Sequence, residues 1–231
     1  MLSSVLDLVV PSACAGCGAG GTRCCAGCLA ALTAAPARRL PEPSPPGLPD
    51  CWSAAVYDGV VRRAVVAYKE RGAVALAAVL AQAMAFTVLA AVRSGAFGPD
   101  GPFAVVPVPS GRRALRARGH DPVGRLAVLV ARMLRMSGMQ AVVWKGLGQA
   151  RRVVDQAGLS SAERGANLRG SLRVPGAAKG PPAARALLLD DIVTTGATLV
   201  EAARALRAAG VDVPLAVTAA ATRRRSLKTL R

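Results

Sequence analysis

The segment that most constrains the fold is 186–198, where an apolar run meets two acids and a hydroxyl-rich loop. The acids, Asp190 and Asp191, directly follow four apolar residues, and 194–198 reads Thr-Thr-Gly-Ala-Thr. From Leu199 onward, apolar residues recur with helical spacing. This pattern predicts a buried strand, an anion-binding turn and a helix N-terminus whose free N–H groups hold a phosphate. The two carboxylates suit the neighbouring part of the same ligand, either sugar hydroxyls or a bound Mg²⁺.

The segment also resembles a known motif. Four apolar residues, two acids and Thr-Thr-Gly-x-Thr are similar to the phosphoribosyl-pyrophosphate (PRPP) binding motif of type I phosphoribosyltransferases. The resemblance implies that Asp190 and Asp191, the candidate catalytic residues, contact the ribose hydroxyls. It also implies that the loop binds the 5′-phosphate through Val193, Thr194, Thr195, Gly196, Ala197 and Thr198. A strand-to-helix turn with a solvated acidic corner is the alternative, although packing alone poorly explains two adjacent acids at the end of a buried strand.

Further segments of the chain predict an α/β fold with a mainly parallel sheet and flanking helices, because strand-like and helix-like patterns alternate. The predicted strands are 53–57, 103–106, 141–144, 186–189 and 213–220. The predicted helices are 60–68, 73–92, 126–134, 160–167 and 199–206. An arginine-rich loop is expected after Pro109, and Asp121-Pro122 predicts a helix start with Asp121 as its N-cap.

Hydropathy and charge indicate whether the chain spans a membrane, in which compartment it functions and what it binds. Residues 73–92 are long enough to cross a membrane. They are mostly alanine, and charges flank them, so a core helix is the better interpretation. We expect a cytoplasmic protein, because the first ten residues also lack a basic signal region. The net charge of +17 favours polyanionic partners, although a solvated basic surface explains it equally well.

Five of the six cysteines lie close together near the N-terminus. Cys14 and Cys17 form one Cys-x2-Cys pair, and Cys25 and Cys28 form a second. Two such pairs suit a closed, tetrahedral, structural Zn²⁺ site. Disulfides fit poorly in a cytosolic chain, and a redox centre would need only one pair. Cys24 remains an alternative ligand to Cys25.

Several segments together resemble the ComF family, in which a four-cysteine zinc module precedes a phosphoribosyltransferase-like domain. The quoted motifs follow that family's order: Tyr57-Asp58-Gly59, Tyr68-Lys69, Val106-Pro107-Val108-Pro109, Arg118-Gly119-His120, Arg152, Gln156, Leu159, Arg164 and Asn167. The resemblance implies a zinc module at 1–35, a proline-rich linker at 36–50, the main domain at 51–222 and a basic tail at 223–231. His120-Asp121-Pro122 departs from the family's usual Phe-Asn-Gln, so any ligand contact made there by the family is not carried over.

The resemblance also implies roles for polar residues of the middle segments. Gln156, Arg164 and Asn167 are expected to line the nucleophile side or a mobile hood, with helix-cap and surface positions as the alternative. Independently of the resemblance, Lys69, Arg112 and Arg118 are expected to bind pyrophosphate, because a departing pyrophosphate needs cations; a solvated surface charge is the alternative for each arginine. The implied activity is transfer of a phosphoribosyl group from PRPP with Mg²⁺, to an unidentified acceptor. The alternative is a non-catalytic competence protein that keeps the PRPP fold and handles single-stranded DNA or contacts uptake proteins.

Overall fold

A computed structural model describes residues 13–98, 100–151, 167–176 and 180–222, apart from the side chains of Arg112 and Arg113. Its main sheet has six strands: β1 (Ala37–Arg38), β2 (Asp50–Val56), β3 (Phe103–Pro107), β4 (Ala141–Val143), β7 (Arg185–Val193) and β8 (Asp212–Ala221). Their order across the sheet is β1-β2-β8-β7-β3-β4. All neighbours in this sheet are parallel except β1 and β2. The predicted α/β class with a mainly parallel sheet is therefore confirmed.

Helices cover both faces of this sheet. They are α1 (Ala26–Thr33), α2 (Gly59–Glu70), α3 (Leu76–Arg93), α4 (Arg112–Arg118), α5 (Pro122–Met136) and α6 (Ala197–Arg207). One hydrophobic core joins a sheet face to α2, α3 and α5, and a second joins the opposite face to α6. A separate antiparallel ribbon consists of β5 (Gly148–Gln149) and β6 (Leu172–Arg173). The predicted helix at 160–167 lies almost entirely outside the described residues.

Helix α3 is the segment that has the length and composition of a membrane span. Its mean hydropathy is 1.8, and 56% of its 18 residues are buried inside the protein. Met84 and Val88 are fully enclosed in the core, against the sheet and the neighbouring helices. This packing supports the core-helix interpretation of the sequence.

The region after β3 differs in part from the sequence prediction. Residues 112–118 form the helix α4 instead of a loop. Arginine, alanine and leucine all favour helix, and Gly119 ends it in the left-handed conformation with a φ of 69°. The predicted start of the next helix is confirmed, because the Asp121 carboxylate accepts a hydrogen bond from the Gly124 N–H and Pro122 is the first helical residue.

The cysteine-rich segment packs directly against the main domain. Helix α1 contacts α2, α3 and β2, and the Arg63 guanidinium donates a hydrogen bond to the Gly16 carbonyl. Within the predicted linker, β1 pairs with β2. The linker therefore contributes an edge strand to the sheet, and the domain boundaries stay a prediction.

Candidate functional site

A cavity of about 380 Å³ lies at the carboxyl ends of the parallel strands. Ligands of open α/β sheets bind in this position, outside the carboxyl ends of the strands. Its lining residues are Tyr57, Lys69, Val108, Pro109, Ser110, Val123, Asp190, Asp191, Ile192, Thr194 and Thr198. The cavity therefore joins the acid pair and the threonine loop to residues from two distant parts of the chain.

The sheet register explains why these residues meet. Strand β3 pairs with β7 only as far as Leu189, whereas β7 continues beside β8 to Val193. The two acids thus lie within β7, beyond the end of β3, rather than after the strand as the sequence predicts. The chain leaving β3 stays close, because the Val108 N–H donates to the Leu189 carbonyl at 2.9 Å. The strand end therefore opens onto the loop that follows β3.

The two carboxylates have different surroundings. Asp191 is only 5% exposed, and its Oδ2 lies 2.6 Å from the Nζ of Lys69 on α2. Asp190 is half-buried, and its Oδ1 accepts a hydrogen bond from the Asp191 N–H at 2.8 Å. Burial, followed by the neighbouring Asp191 charge, raises the pKa of Asp190 well above its usual range. Asp191 is thus paired with a cation, while Asp190 keeps its proton to a higher pH than an ordinary aspartate.

Lys69 supplies the cationic wall of the cavity. Burial lowers its pKa, but the Asp191 carboxylate outweighs that effect and raises the pKa overall. The ammonium group therefore stays charged at neutral pH and neutralises Asp191. Since 27% of the side chain is exposed, it also remains accessible from the cavity.

The threonine-rich loop at 194–198 has the predicted strand–turn–helix form. Gly196 is the N-cap of α6 and has a φ of 75°, a left-handed conformation that favours glycine. A Cβ at this position would lie 3.0 Å from a Leu48 methyl and 3.1 Å from Pro41. Thr194 and Thr198 line the cavity, whereas Val193, Thr195 and Ala197 are not among its lining residues. The backbone conformation at Gly196 thus favours glycine, and Pro41 and Leu48, from the segment before β2, pack against the loop.

Of the other predicted site residues, the two whose side chains are described do not line the cavity. Arg118 makes a bidentate ion pair with Glu70 at 2.7 and 2.9 Å, and it does not line the cavity. The Asn167 carbonyl accepts a hydrogen bond from Arg151, and Asn167 is not among the residues that line the cavity. The side chain of Arg112, and all of Gln156 and Arg164, lie outside the described residues. The roles of these five residues stay predictions.

The four cysteines of the two Cys-x2-Cys pairs come together. The sulfurs of Cys14, Cys17, Cys25 and Cys28 all lie within 4.8 Å of one another. Four thiolates on a tetrahedral Zn²⁺ lie about 3.8 Å apart, so this set can hold a closed structural zinc site. Cys24 is not in the cluster and packs against the core, which distinguishes the two alternatives left open by the sequence.

Backbone hydrogen bonds polarise one thiol of this cluster, that of Cys14. The Cys25 N–H donates to the Cys14 sulfur at 3.3 Å, and this contact, with a second backbone hydrogen bond, lowers the pKa of Cys14 to about 6. Burial has the opposite effect on Cys28 and raises its pKa. A thiolate is therefore available at neutral pH as a first ligand.

The sequence analysis assigned no role to two polar residues of the cavity, Ser110 and Tyr57, although Tyr57 belongs to one of the ComF-like motifs. Tyr57 directly follows β2, and Ser110 lies on the loop after β3. Both strands end at the edge of the sheet where β7 ends, since the central strands are parallel. A signal was therefore present: polar residues that follow separate parallel strands lie at one edge.

Comparison with known proteins supports the ComF resemblance over part of the chain. The chain is 30% identical over 111 residues to competence protein F of Haemophilus influenzae. The matched region is 48% of this chain and 47% of that protein, so the chain matches about half the length of this curated relative. No family model matches the chain.

Proposed function

We propose that the protein binds PRPP with Mg²⁺ in the cavity at the end of β7 and transfers its phosphoribosyl group to an acceptor. The observation that carries this proposal is the opening of an acid pair and a phosphate-type loop into one cavity. The loop at 194–198 would hold the 5′-phosphate, because the N-terminus of α6 presents free N–H groups there. Asp190 and Asp191 would orient the ribose hydroxyls, next to the carbon at which pyrophosphate leaves.

The charges of the site favour a ligand that brings its own cation. The Asp191 carboxylate, which is paired with Lys69, and the phosphates of PRPP are anionic, so they repel each other unless positive charge separates them. Lys69 supplies one such charge, and Asp190 and Asp191 offer the oxygen ligands that Mg²⁺ prefers. When bound, Mg²⁺ would stabilise the negative charge that develops on the departing pyrophosphate. Lys69 would exchange its contact with Asp191 for one with the same leaving group.

Calorimetric titration with PRPP, with and without Mg²⁺, tests this proposal. Asp190→Asn/Asp191→Asn is the test variant, and Asp212→Asn is the matched control. Asp212 is 62% exposed and begins β8, at the opposite edge of the sheet, so its loss leaves the cavity intact. We expect Mg²⁺-dependent binding by the wild type and the control, and none by the test variant. Absence of binding by the wild type would refute the ligand, and equal binding by the test variant would refute the role of the carboxylates.

A second candidate function is contact with single-stranded DNA in competence, as the name of the similar protein suggests. The specific observation is the charge of α3 and α5, which contain no acidic residue and expose Arg93, Arg125, Arg132 and Arg135. Such a surface neutralises phosphates without reading sequence. In this function the protein acts in the cytoplasm beside the uptake proteins, with or without turnover of PRPP.

A salt titration of single-strand binding tests this second function. Neutralised phosphates release counterions, so log K must fall linearly with log salt concentration, with a slope near −0.7 per phosphate. Replacing Arg125 and Arg132 with glutamine should reduce that slope by about one or two. Binding that does not respond to salt would contradict the proposed contact.

A further inference from the structure

Two ion pairs lie next to each other at the end of α2. Lys69 and Glu70 are the last two residues of this helix. Lys69 contacts Asp191 in the cavity, whereas Glu70 contacts Arg118, the last residue of α4, outside the cavity lining. Burial lowers the pKa of Lys69, Asp191 raises it above its usual value, and the charge of Arg118 opposes that rise. The two cations are therefore within electrostatic reach of each other, and each has its own carboxylate partner.

The contact between Glu70 and Arg118 is well formed, although the position of Glu70 is unfavourable for an acid. The Arg118 Nε lies 2.9 Å from one carboxylate oxygen, and its Nη2 lies 2.7 Å from the other. Glu70 ends α2, where the helix dipole favours a cation over a carboxylate. The stability of α2 therefore does not explain an acid at this position, whereas the guanidinium of Arg118 does.

The Arg118 guanidinium is held next to the wall of the cavity. Helix α4 begins two residues after Ser110, which lines the cavity, and Glu70 directly follows Lys69, which also lines it. The Arg118 side chain is 16% exposed, while that of Glu70 is 47% exposed and can turn into water. Phosphate oxygens accept the same paired N–H groups as a carboxylate. A phosphate that enters beside Lys69 therefore competes with Glu70 for Arg118.

We propose that Glu70 is an internal competitor of the pyrophosphate group, which occupies Arg118 in the free protein and releases it when pyrophosphate enters the cavity. This inference rests on the proposed binding of PRPP. The competition lowers the affinity for the pyrophosphate end of the ligand and leaves the 5′-phosphate end, at the loop 194–198, unaffected. When pyrophosphate departs, the contact of Glu70 with Arg118 forms again, which favours release of this product.

A matched pair of ligands isolates the pyrophosphate end. Ribose 5-phosphate and PRPP share the sugar and the 5′-phosphate, and only PRPP carries pyrophosphate. Calorimetry with Mg²⁺ gives the dissociation constant of each ligand for the wild type and for Glu70→Gln. Removal of a bidentate but partly exposed competitor predicts about 3- to 10-fold tighter binding of PRPP by Glu70→Gln. The affinity for ribose 5-phosphate should not change.

The same substitution in an Arg118→Met background separates competition from the effect of net charge. If Glu70 acts by occupying Arg118, Glu70→Gln should no longer change PRPP binding once the guanidinium is absent. An equal gain in both backgrounds, or tighter binding of ribose 5-phosphate as well, would show that only the net charge matters and would overturn the inference. Weaker PRPP binding by Glu70→Gln would show that Glu70 holds Arg118 in its binding position, which also overturns it.

The outcome for the wild type distinguishes this inference from the proposed function. If the wild type binds PRPP and Glu70→Gln binds it equally well, the inference is overturned and PRPP binding stands. Binding of neither ligand by the wild type would remove the proposed function, and this inference with it. Glu70→Gln keeps the size of a half-exposed side chain, so we expect it to fold, which urea unfolding checks. If Arg118→Met does not fold, Arg118→Lys replaces it, because lysine cannot make the bidentate contact and the gain should shrink.

Discussion

The contact between Lys69 and Asp191 gives the most quantitative prediction about the free protein. Replacement of Lys69 by methionine keeps the length and the apolar stem but removes the ammonium group 2.6 Å from the carboxylate. The Asp191 side chain is 6% exposed, so its charge would be left buried without a partner. Breaking a fully buried ion pair in this way costs about 3–5 kcal/mol.

The partial exposure of Lys69 reduces this figure. With 27% of its side chain exposed, water already screens part of the interaction, so we expect Lys69→Met to lower the unfolding free energy by about 2–3 kcal/mol. For a chain of this length, that corresponds to a fall in Tm of about 4–12 °C. Asp191→Asn should cost less than Lys69→Met, because the freed ammonium can turn towards water.

Urea and thermal unfolding of both single variants and the double variant measure these effects as a double-mutant cycle. The double variant should be more stable than Lys69→Met alone, because no unpaired charge remains. A loss below about 0.5 kcal/mol for Lys69→Met, or additive effects in the cycle, would refute the argument.

Three further predictions concern the metal cluster, the loop and the acid pair. Cys25→Ser should abolish stoichiometric zinc, measured by elemental analysis under reducing conditions, while Cys24→Ser should retain it. Gly196→Ala should lower the unfolding free energy by about 1–2 kcal/mol, measured in urea, and weaken PRPP binding, because it adds a Cβ at positive φ. Asp190→Asn should be more stable than the wild type at pH 7. That difference should shrink as the pH falls and vanish well below the value of 3.8 for an unperturbed aspartate, because the raised pKa costs stability only where the unfolded chain would lose this proton.

The parallel sheet was predictable because each strand carries a local signal. Buried stretches such as β3 and residues 186–189 of β7 read as short apolar runs, and turn or helix signals separate them. The start of α5 was predictable for the same reason, because its N-cap, Asp121, and its first residue, Pro122, are adjacent in the sequence. Helix α4 was missed because its arginines were interpreted as ligands, although the same residues favour helix.

The cavity itself was only half predictable. The acids and the loop are contiguous in sequence, so one motif shows them together. Tyr57 and Ser110 enter through the order of the strands, which places β8 between β2 and β7. No local sequence pattern indicates the order of the strands, because that order arises from pairing between distant segments and from the packing of α6 on the sheet face away from α2, α3 and α5. The separation of Cys24 from Cys25 depends likewise on the direction of each side chain at the start of α1.

The partners of the charged residues could not be predicted, for a reason that applies to ligand sites in general. A motif relates each residue to the bound ligand, whereas the free protein must satisfy the same charges internally. Lys69 was predicted to face pyrophosphate and Asp191 to face ribose, and in the free protein they neutralise each other. Arg118 similarly pairs with Glu70. If Lys69 exchanges partners on binding, PRPP affinity includes the cost of breaking this contact. Lys69→Met would then lose the phosphate contact but also escape that cost, so its effect on binding should be smaller than its effect on stability.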